Sequence, residues 1–288
     1  MEAKKSLNKE KAQDDKNEEY LAQMGFTFDE HGHYELNANI FSEFFLEHVK
    51  LIIFQDNFFY RYKNGVWQPT TDRQVTRTIR NVINRAKPDL YQRQMGINIV
   101  EMLKLAAPEK NRLDPHSQVI NLINGMIDLE SYRIIEHSPD YYSTVQIPMI
   151  YGEEAQCPKF LKFLYEIFED DDERISLIQE LMGYILTSET KVHKAFFFHG
   201  EGANGKSVLL EIISMLAGRQ NVSNLSLKDL EKPFNRAVLI GKTLNIATEN
   251  EVSSRGFNSQ FLKAIVSGDS IMVEKNIRML LVILLYAN

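Results

Sequence analysis

After a charged start, apolar residues recur at spacings that predict a mixed helical and extended first half. Residues 1–19 combine Lys, Asp, Glu and Asn and offer almost nothing to bury, so we expect a disordered or frayed helical tail. Between Phe41 and Phe54 the apolar side chains fall at helical spacing and predict a helix. Asn64-Gly65 separates two aromatic runs and predicts a two-residue β-hairpin. Further helices are predicted over Thr71–Arg85 and Asn98–Ala107.

A second group of short apolar runs, separated by turn residues, predicts a small β-meander. The dipeptide Asn124-Gly125 is expected to join a strand over Val119–Ile123 to one over Met126–Leu129. A turn at Glu130-Ser131 then leads into a third strand over Arg133–Glu136. Together with the preceding elements, the meander indicates a mixed α+β N-terminal domain.

Two helices are predicted after the meander. Cys157-Pro158 is expected to open a helix over Phe160–Phe168, because proline is well tolerated in a first helical turn. The four adjacent acids from Asp170 to Glu173 offer a metal site as one interpretation. Adjacent acids at a helix start are more often a solvated cap that suits the helix dipole, so we favour the cap. The helix that they begin is predicted over Arg174–Leu186.

Near residue 190 the pattern changes to that of a parallel sheet. Ala195–Phe198 is a short continuous apolar run, typical of a strand buried on both faces of such a sheet. Thr243–Ala247 is a second run of this kind. We therefore predict a tail over residues 1–19, an α+β domain over 20–185 and an α/β domain over 186–288.

Composition and charge fit a globular protein and exclude several classes of site. The chain has 288 residues and a net charge of −6, so its surface as a whole is not a cationic field for nucleic acid. A single cysteine, Cys157, excludes a disulfide framework and a cysteine-rich zinc site. The start lacks the apolar core of a signal peptide, and the longest apolar run, Met279–Ala287, is far shorter than the roughly 20 residues that span a bilayer. We expect a cytoplasmic protein without a membrane partner.

The strongest signal for chemistry is a glycine-rich loop directly after the first parallel strand. It matches G-x-x-x-x-G-K-[ST] at every fixed position. Its glycines let backbone N–H groups face a β-phosphate, while Lys206 is expected to contact the β- and γ-phosphates and Ser207 to ligate magnesium. A helix predicted over Lys206–Ala217, ending at Gly218, aims its positive end at the same phosphates. We expect ATP and Mg²⁺ as cofactors, bound by Gly200, Glu201, Gly202, Ala203, Asn204, Gly205, Lys206, Ser207 and Val208.

Acids for the second half of a nucleotide site follow the strand at Thr243–Ala247. Ligands in open α/β sheets gather at the carboxyl ends of the strands. Glu249 is the first candidate to hold magnesium and polarise the attacking water, and Glu251 is the second. Asn250 separates them, so their division of roles stays open, and the alternative is a pair of surface glutamates. With Lys206 they form the expected catalytic set.

Motifs of three other classes of phosphate-loop protein are missing from the sequence. No Asn-Lys-x-Asp reads guanine, which argues against a GTPase. No Leu-Ser-Gly-Gly-Gln segment occurs, which argues against a transporter-type ATPase. Nothing after the loop resembles the arginine-rich lid of a small-molecule kinase, although such a kinase remains one alternative.

Three stretches carry a more specific signal by their order and intervals. They are Phe196–Gly218, Phe234–Glu249 and Phe261–Lys275. They resemble superfamily 3 DNA helicases, and within them the primase-helicase family of phages, plasmids and poxviruses. The stretch from Tyr20 to Thr187 is similar to the domain that precedes the motor in that family, so the resemblance covers most of the chain.

The resemblance implies an α/β P-loop NTPase with an AAA+-like parallel sheet and the function of an ATP-dependent DNA helicase. Members of the family form hexameric rings, pull single-stranded DNA through the pore and work with a replication primase. By this likeness Lys275 would contact the DNA backbone, with Arg278 as a second basic candidate. Taken from the residues alone, Lys275 is equally an ordinary surface lysine.

The last residues depart from the family pattern. The apolar run Leu280–Ala287 is either a compressed form of the strand that presents a polar sensor residue, with Asn288 after it, or unrelated sequence. No arginine finger follows, so we expect an incomplete sheet and impaired hydrolysis. The non-enzymatic alternative is an ATP-binding fragment that joins or inhibits full-length rings.

Overall fold

A computed structural model describes residues 17–29, 31, 33–54, 58–115, 118–187, 192, 194–200, 204–239, 241–247, 263 and 281–286. The chain divides into two compact units, Met1–Leu113 and Asp114–Asn288. The domain bounds expected from the sequence, at 19–20 and 185–186, stay predictions. The two units are taken in turn.

The described part of the first unit combines helices with two small sheets. Its helices are α1 (17–23), α2 (Ala38–His48), α3 (Asp72–Ala86) and α4 (Arg93–Ala106). Its strands are β1 (Phe26–Phe28), β2 (Tyr34–Leu36), β3 (Leu51–Phe54), β4 (Phe58–Lys63), β5 (Val66–Thr70) and β6 (Glu109–Lys110). Strands β1 and β2 form an antiparallel pair, and the second sheet has the order β5-β4-β3-β6, with β6 parallel to β3.

Helix α3 shows how the sequence specifies an element in this unit. Thr71 and Gln74 form a capping box that satisfies free backbone donors at the helix start. Val75, Ile79 and Ile83 recur every four residues and are buried in the unit's core, where α4 also packs. The prediction of a helix over Thr71–Arg85 is confirmed within one residue at each end.

The predicted helix over Phe41–Phe54 is wrong in its last third. Helix α2 ends at His48, where the Val49 N–H donates to the Phe45 carbonyl at 2.7 Å. The next residues form β3, which pairs antiparallel with β4. Apolar spacing alone does not distinguish a helix from a strand. The β-branched and aromatic residues of β3 are suited to a strand, and pairing with β4 decides that conformation.

Both predicted hairpin regions form, but the second turn is displaced by one residue. The Asn64-Gly65 turn joins β4 and β5 as predicted. In the meander the two turn residues are Ile123 and Asn124, because Gly125 already pairs with Leu122. A Cβ on Gly125 would lie 2.7 Å from the Ile135 carbonyl oxygen, so this glycine serves the close approach of the third strand and not the turn.

The second unit joins the meander to helices and a parallel sheet. Its strands are β7 (Val119–Leu122), β8 (Gly125–Asp128), β9 (Arg133–Ile135), β10 (Ala195–His199), β11 (Val222–Ser223), β12 (Leu244–Ala247) and β13 (Leu281–Tyr286). Its helices are α5 (Pro158–Ile167), α6 (Asp172–Leu186), α7 (Lys206–Ala217), α8 (Leu227–Leu230) and α9 (Pro233–Arg236). Short 3-10 turns cover Pro139–Tyr141, Arg219–Asn221 and Ala237–Leu239.

The four strands β10, β13, β12 and β11 form one sheet in that order, and every neighbouring pair is parallel. Parallel strands place their carboxyl ends at one edge of the sheet. The predicted strand at Ala195–Phe198 is confirmed, but not its burial on both faces. Phe196 and Phe198 pack against the core, whereas Phe197, which alternation directs to the other face, is 64% exposed.

Helices α5, α6 and α7 share one core with the parallel sheet. Leu164, Leu181 and Ile213 are 0–2% exposed within it. Proline opens α5 as predicted, and Asp171 caps α6 by accepting from the Arg174 N–H at 3.1 Å. Asp171 therefore caps the helix, as the sequence predicts for this run of acids. Across the described residues, no helix combines the length and apolar character needed to cross a membrane.

Replacing Ile79 by alanine should lower the free energy of unfolding by about 3 kcal/mol, because the side chain is fully buried and its loss leaves a cavity. Ile97→Ala is the matched control, since Ile97 lies on α4 and is 47% exposed. Its cost should stay below about 1 kcal/mol. Denaturant unfolding of both variants measures the difference, and equal costs would contradict the core described above.

Candidate functional site

The glycine-rich loop lies between strand β10 and helix α7, as the sequence predicts. Strand β10 ends at His199 and α7 begins at Lys206. Within the loop, Gly200, Asn204 and Gly205 are described, while residues 201–203 lie outside the described part of the chain. Of the predicted phosphate ligands, the structure therefore describes the two ends of the loop and the first turn of α7.

Gly205 forms the turn into α7. Its backbone has φ +83°, a left-handed conformation that side chains with a Cβ rarely adopt, and its carbonyl accepts from the Leu209 N–H at 3.0 Å. A Cβ here would lie 2.6 Å from Ile167 Cγ2 and 3.3 Å from the Phe163 ring, both on α5. Conformation and space both require glycine, so the end of the loop rests directly on α5.

The Lys206 side chain folds back over the loop that precedes it. Its ammonium group donates to the Gly200 carbonyl oxygen and, at 2.8 Å, to Asn204 Oδ1. The ammonium is therefore held at the mouth of the loop by oxygen acceptors from both ends of it. The contribution of Asn204 is a contact that the motif pattern does not specify, because that position is variable in G-x-x-x-x-G-K-[ST].

The first turn of α7 faces solvent beside the loop. Ser207 and Val208 are exposed, and no side chain caps the helix start. The first N–H groups of a helix have no partner inside the helix, and they carry its positive dipole end. The start of α7 thus offers donors and positive potential next to the Lys206 ammonium.

A cleft of about 490 Å³ begins at Ser207 and follows α7. Its other lining residues come from α7, β11 and β12 and the segments after them, and they are Leu210, Glu211, Ser214, Arg219, Val222, Asn224 and Ile246. Glu211 and Arg219 form an ion pair within this lining. No local pattern in the sequence predicts this cleft, because it results from the packing of α7 against the sheet.

The end of β12 is held by a buried amide. Asn245 is fully buried, accepts from the Leu225 N–H at 2.9 Å and from the Ser223 hydroxyl at 2.8 Å, and donates to the Leu225 carbonyl. This network ties the segment after β11 to β12 two residues before its end at Ala247. The sequence predicts Asn245 only as a strand residue. The one signal of its further role is that it is polar within an otherwise apolar run.

The remaining predicted site residues lie outside the described part of the chain. They are Glu201, Gly202, Ala203, Glu249, Glu251, Lys275 and Arg278. Their roles stay predictions. Among the described residues, no group of three or more His, Cys, Asp or Glu side chains is arranged to hold a metal ion.

Sequence comparisons relate both parts of the chain to known families. Residues 38–169 match a family model described as D5 N terminal like, and residues 198–286 match a family of unknown function, DUF5906. A protein named "Putative helicase 184R" from Invertebrate iridescent virus 6 is 29% identical over 118 residues. This match covers 39% of the chain and only 12% of that viral protein.

Comparison with solved structures shows the same fold in the NrS-1 C terminal region. An A form apo structure of that region has a TM-score of 0.52 at 11% identity and covers 85% of this chain and 55% of the other. A second A form apo structure has a TM-score of 0.54 at 13% identity and covers 88% and 57%. The chain therefore spans little more than half the length of these structures. The viral match thus relates part of the chain, at low identity, to a protein named as a putative helicase, and the solved structures show a similar fold.

Proposed function

We propose that the chain is an ATP-dependent DNA helicase motor and that ATP and Mg²⁺ bind at the loop between Gly200 and Ser207. The observation that carries the proposal is the position of this loop. It follows a strand of an all-parallel sheet, runs into the start of α7 and matches the phosphate-loop pattern in full. We take the unit to be a P-loop NTPase with an AAA+-like core.

The contacts of Lys206 support phosphate binding. Its ammonium donates to two oxygen acceptors of the loop, the Gly200 carbonyl and Asn204 Oδ1. The oxygens of a triphosphate are acceptors too and carry charge, so they compete well for the same donor, especially beside the positive end of α7. Ser207, the next residue, is exposed and free to offer its hydroxyl to magnesium.

The sheet register supports a role for residues that follow the other strands. His199, the last residue of β10, pairs with Tyr286, the last residue of β13, and Ala247 of β12 pairs with Leu284. The carboxyl ends of these three strands therefore lie at one edge of the sheet, where β10 runs into the phosphate loop. Glu249 follows Ala247 by two residues, and we assign it to magnesium and the attacking water, with Glu251 as its second.

The helicase part of the proposal rests on the relationship to helicase-like proteins and on the motif order after the loop. We assign Lys275 and Arg278 to the backbone of single-stranded DNA, a contact that is salt-sensitive and independent of base sequence. A motor of this kind needs neighbouring subunits, so we also propose a hexameric ring that works with a replication primase.

Lys206→Ala should weaken ATP binding by roughly 10- to 100-fold, since a charge-assisted hydrogen bond contributes on the order of 1.5–3 kcal/mol. Titration with a fluorescent ATP analogue in the presence of Mg²⁺ measures the change. The matched control is Lys194→Ala, because Lys194 is exposed and precedes β10. Unchanged nucleotide affinity in Lys206→Ala would remove the basis of the proposal.

Gly205→Ala tests the loop's backbone. The variant forces a Cβ into a left-handed turn and toward Ile167, which costs roughly 1–3 kcal/mol in strain and moves the loop. We expect ATP affinity to fall about tenfold or more. Gly183→Ala on α6 is the control, since its Cβ would meet nothing within 4 Å, and it should stabilise the helix by about 0.5–1 kcal/mol without changing affinity. Equal effects of the two substitutions on ATP binding would argue against the proposed site.

ATP hydrolysis should be stimulated by single-stranded DNA if the ATP site drives a DNA motor. Steady-state hydrolysis with and without an oligonucleotide tests this, and Lys275→Ala should reduce the stimulation but leave ATP binding intact. Hydrolysis that ignores DNA would contradict the helicase assignment and favour a small-molecule kinase, while the ATP site itself would stand.

A further inference from the structure

The outer face of helix α3 carries a stripe of arginines. Arg73, Arg77 and Arg80 recur at intervals of four and three residues, which places them on one side of the helix and defines the stripe, whereas Arg85, five residues after Arg80, lies on another side. All four are exposed. The opposite side of α3 holds Val75, Ile79 and Ile83, which are 0–3% exposed in the core. The arginine stripe is therefore a fixed surface on a helix that is anchored by its apolar face.

Within the described part of the chain, this stripe has no counter-charge. The only acid of α3 is Asp72, and its carboxylate pairs with Lys104 of α4 at 2.8 Å. None of the four arginines forms an ion pair with a described residue. Residues 51–113 hold 11 lysines and arginines against five acids, in a chain whose net charge is −6. Positive charge is thus concentrated in residues 51–113. This excess can attract an anionic ligand.

The hairpin next to α3 carries another guanidinium, which contacts a different side of the helix from the stripe. Arg61 of β4 donates to the Thr78 hydroxyl of α3 at 3.2 Å, which holds its side chain against the helix. Polar amides are interspersed with the arginines, because Gln74, Asn81 and Asn84 lie on the exposed or half-exposed sides of α3. The surface therefore combines guanidinium groups with neutral hydrogen-bonding groups.

The chemistry of this surface favours nucleic-acid phosphates over other anionic partners. Guanidinium groups bind phosphate oxygens in a bidentate manner, and consecutive arginines of the stripe are separated by about 6 and 4.5 Å along the helix axis. A membrane surface would need apolar side chains beside the charges, and those of α3 are buried in the core.

We propose that the arginine stripe of α3, Arg73, Arg77 and Arg80, is a binding surface for the phosphate backbone of nucleic acid. This surface uses none of the residues of the ATP site or of the predicted DNA contacts, Lys275 and Arg278, and it does not need nucleotide. Binding is independent of base sequence, because no base-reading pocket lines the stripe in the described part of the chain, and it weakens as salt rises.

The test compares the full chain with Arg77→Gln/Arg80→Gln in fluorescence anisotropy. The probes are a labelled single-stranded 20-mer and the corresponding duplex, without ATP, over a salt series. Losing two phosphate contacts should weaken binding by roughly 10- to 30-fold near 0.1 M salt and lower the slope of log affinity against log salt by about 1.4–1.8. The probe bound more tightly by the unaltered chain identifies the strand form that the surface prefers.

Matched controls separate this site from general charge and from the ATP site. Arg133→Gln/Lys159→Gln removes two exposed positive charges outside α3 and should leave affinity and salt slope unchanged. Arg77→Lys/Arg80→Lys keeps the charges but loses the bidentate geometry, so it should keep the salt slope while binding more weakly than the unaltered chain and more tightly than Arg77→Gln/Arg80→Gln. Lys206→Ala should bind DNA normally, so failure of the ATP proposal and failure of this one are distinguishable.

Three results would overturn the proposal. The first is absence of DNA binding by the unaltered chain, and the second is equal loss in the α3 and control variants. The third is stronger binding to phosphatidylserine vesicles than to either DNA, with the same dependence on Arg77 and Arg80. Thermal unfolding of each variant is measured in parallel, and the exposed positions of the substitutions predict unchanged midpoints.

Discussion

The second unit depends on the tight contact between the turn at Gly205 and helix α5. The turn is left-handed and lacks a side chain, so the backbone comes close enough for Ile167 and Phe163 to support it. Helix α5 in turn shares a core with α6, α7 and the parallel sheet. A loop that holds several donors toward one ligand needs support from outside the loop, because fixing each residue costs about 1–2 kcal/mol of entropy. Here the hydrophobic core behind Gly205 supports the end of the loop.

The parallel arrangement of the strands links the candidate nucleotide site to the rest of the sheet. All four strands run parallel, so the carboxyl ends of β10, β12 and β13 lie at one edge. The buried amide of Asn245 fixes the end of β12 to the segment after β11. A buried polar group of this kind is costly unless it is fully hydrogen-bonded, and Asn245 uses both its oxygen and its nitrogen. Positioning of this edge thus relies on both apolar packing and a satisfied polar network.

The exposed arginine face of α3 differs in charge from the chain as a whole. The chain is acidic overall, and a judgement from net charge alone would exclude an extended contact with nucleic acid. Arg73, Arg77 and Arg80 of α3 nevertheless form one exposed face without acidic partners among the described residues, while the acid at the helix start is paired with Lys104. Local arrangement of charge on a rigid helix therefore matters more for a polyanionic partner than the sum over the sequence.

Local patterns in the sequence determined the elements whose signals are contained within a few residues. These include the capped helix α3, the hairpin at Asn64-Gly65 and the strand, loop and helix around Lys206. Tertiary structure decided what depends on distant partners. It ended α2 at His48, because the next residues pair with β4, and it moved the meander turn by one residue, because Gly125 must admit the third strand. It also brought α5 beneath the loop and set the arginines of α3 apart from acids. The physical reason is that apolar spacing and turn chemistry act between near neighbours, whereas strand pairing, side-chain support and charge balance are settled by which segments pack together.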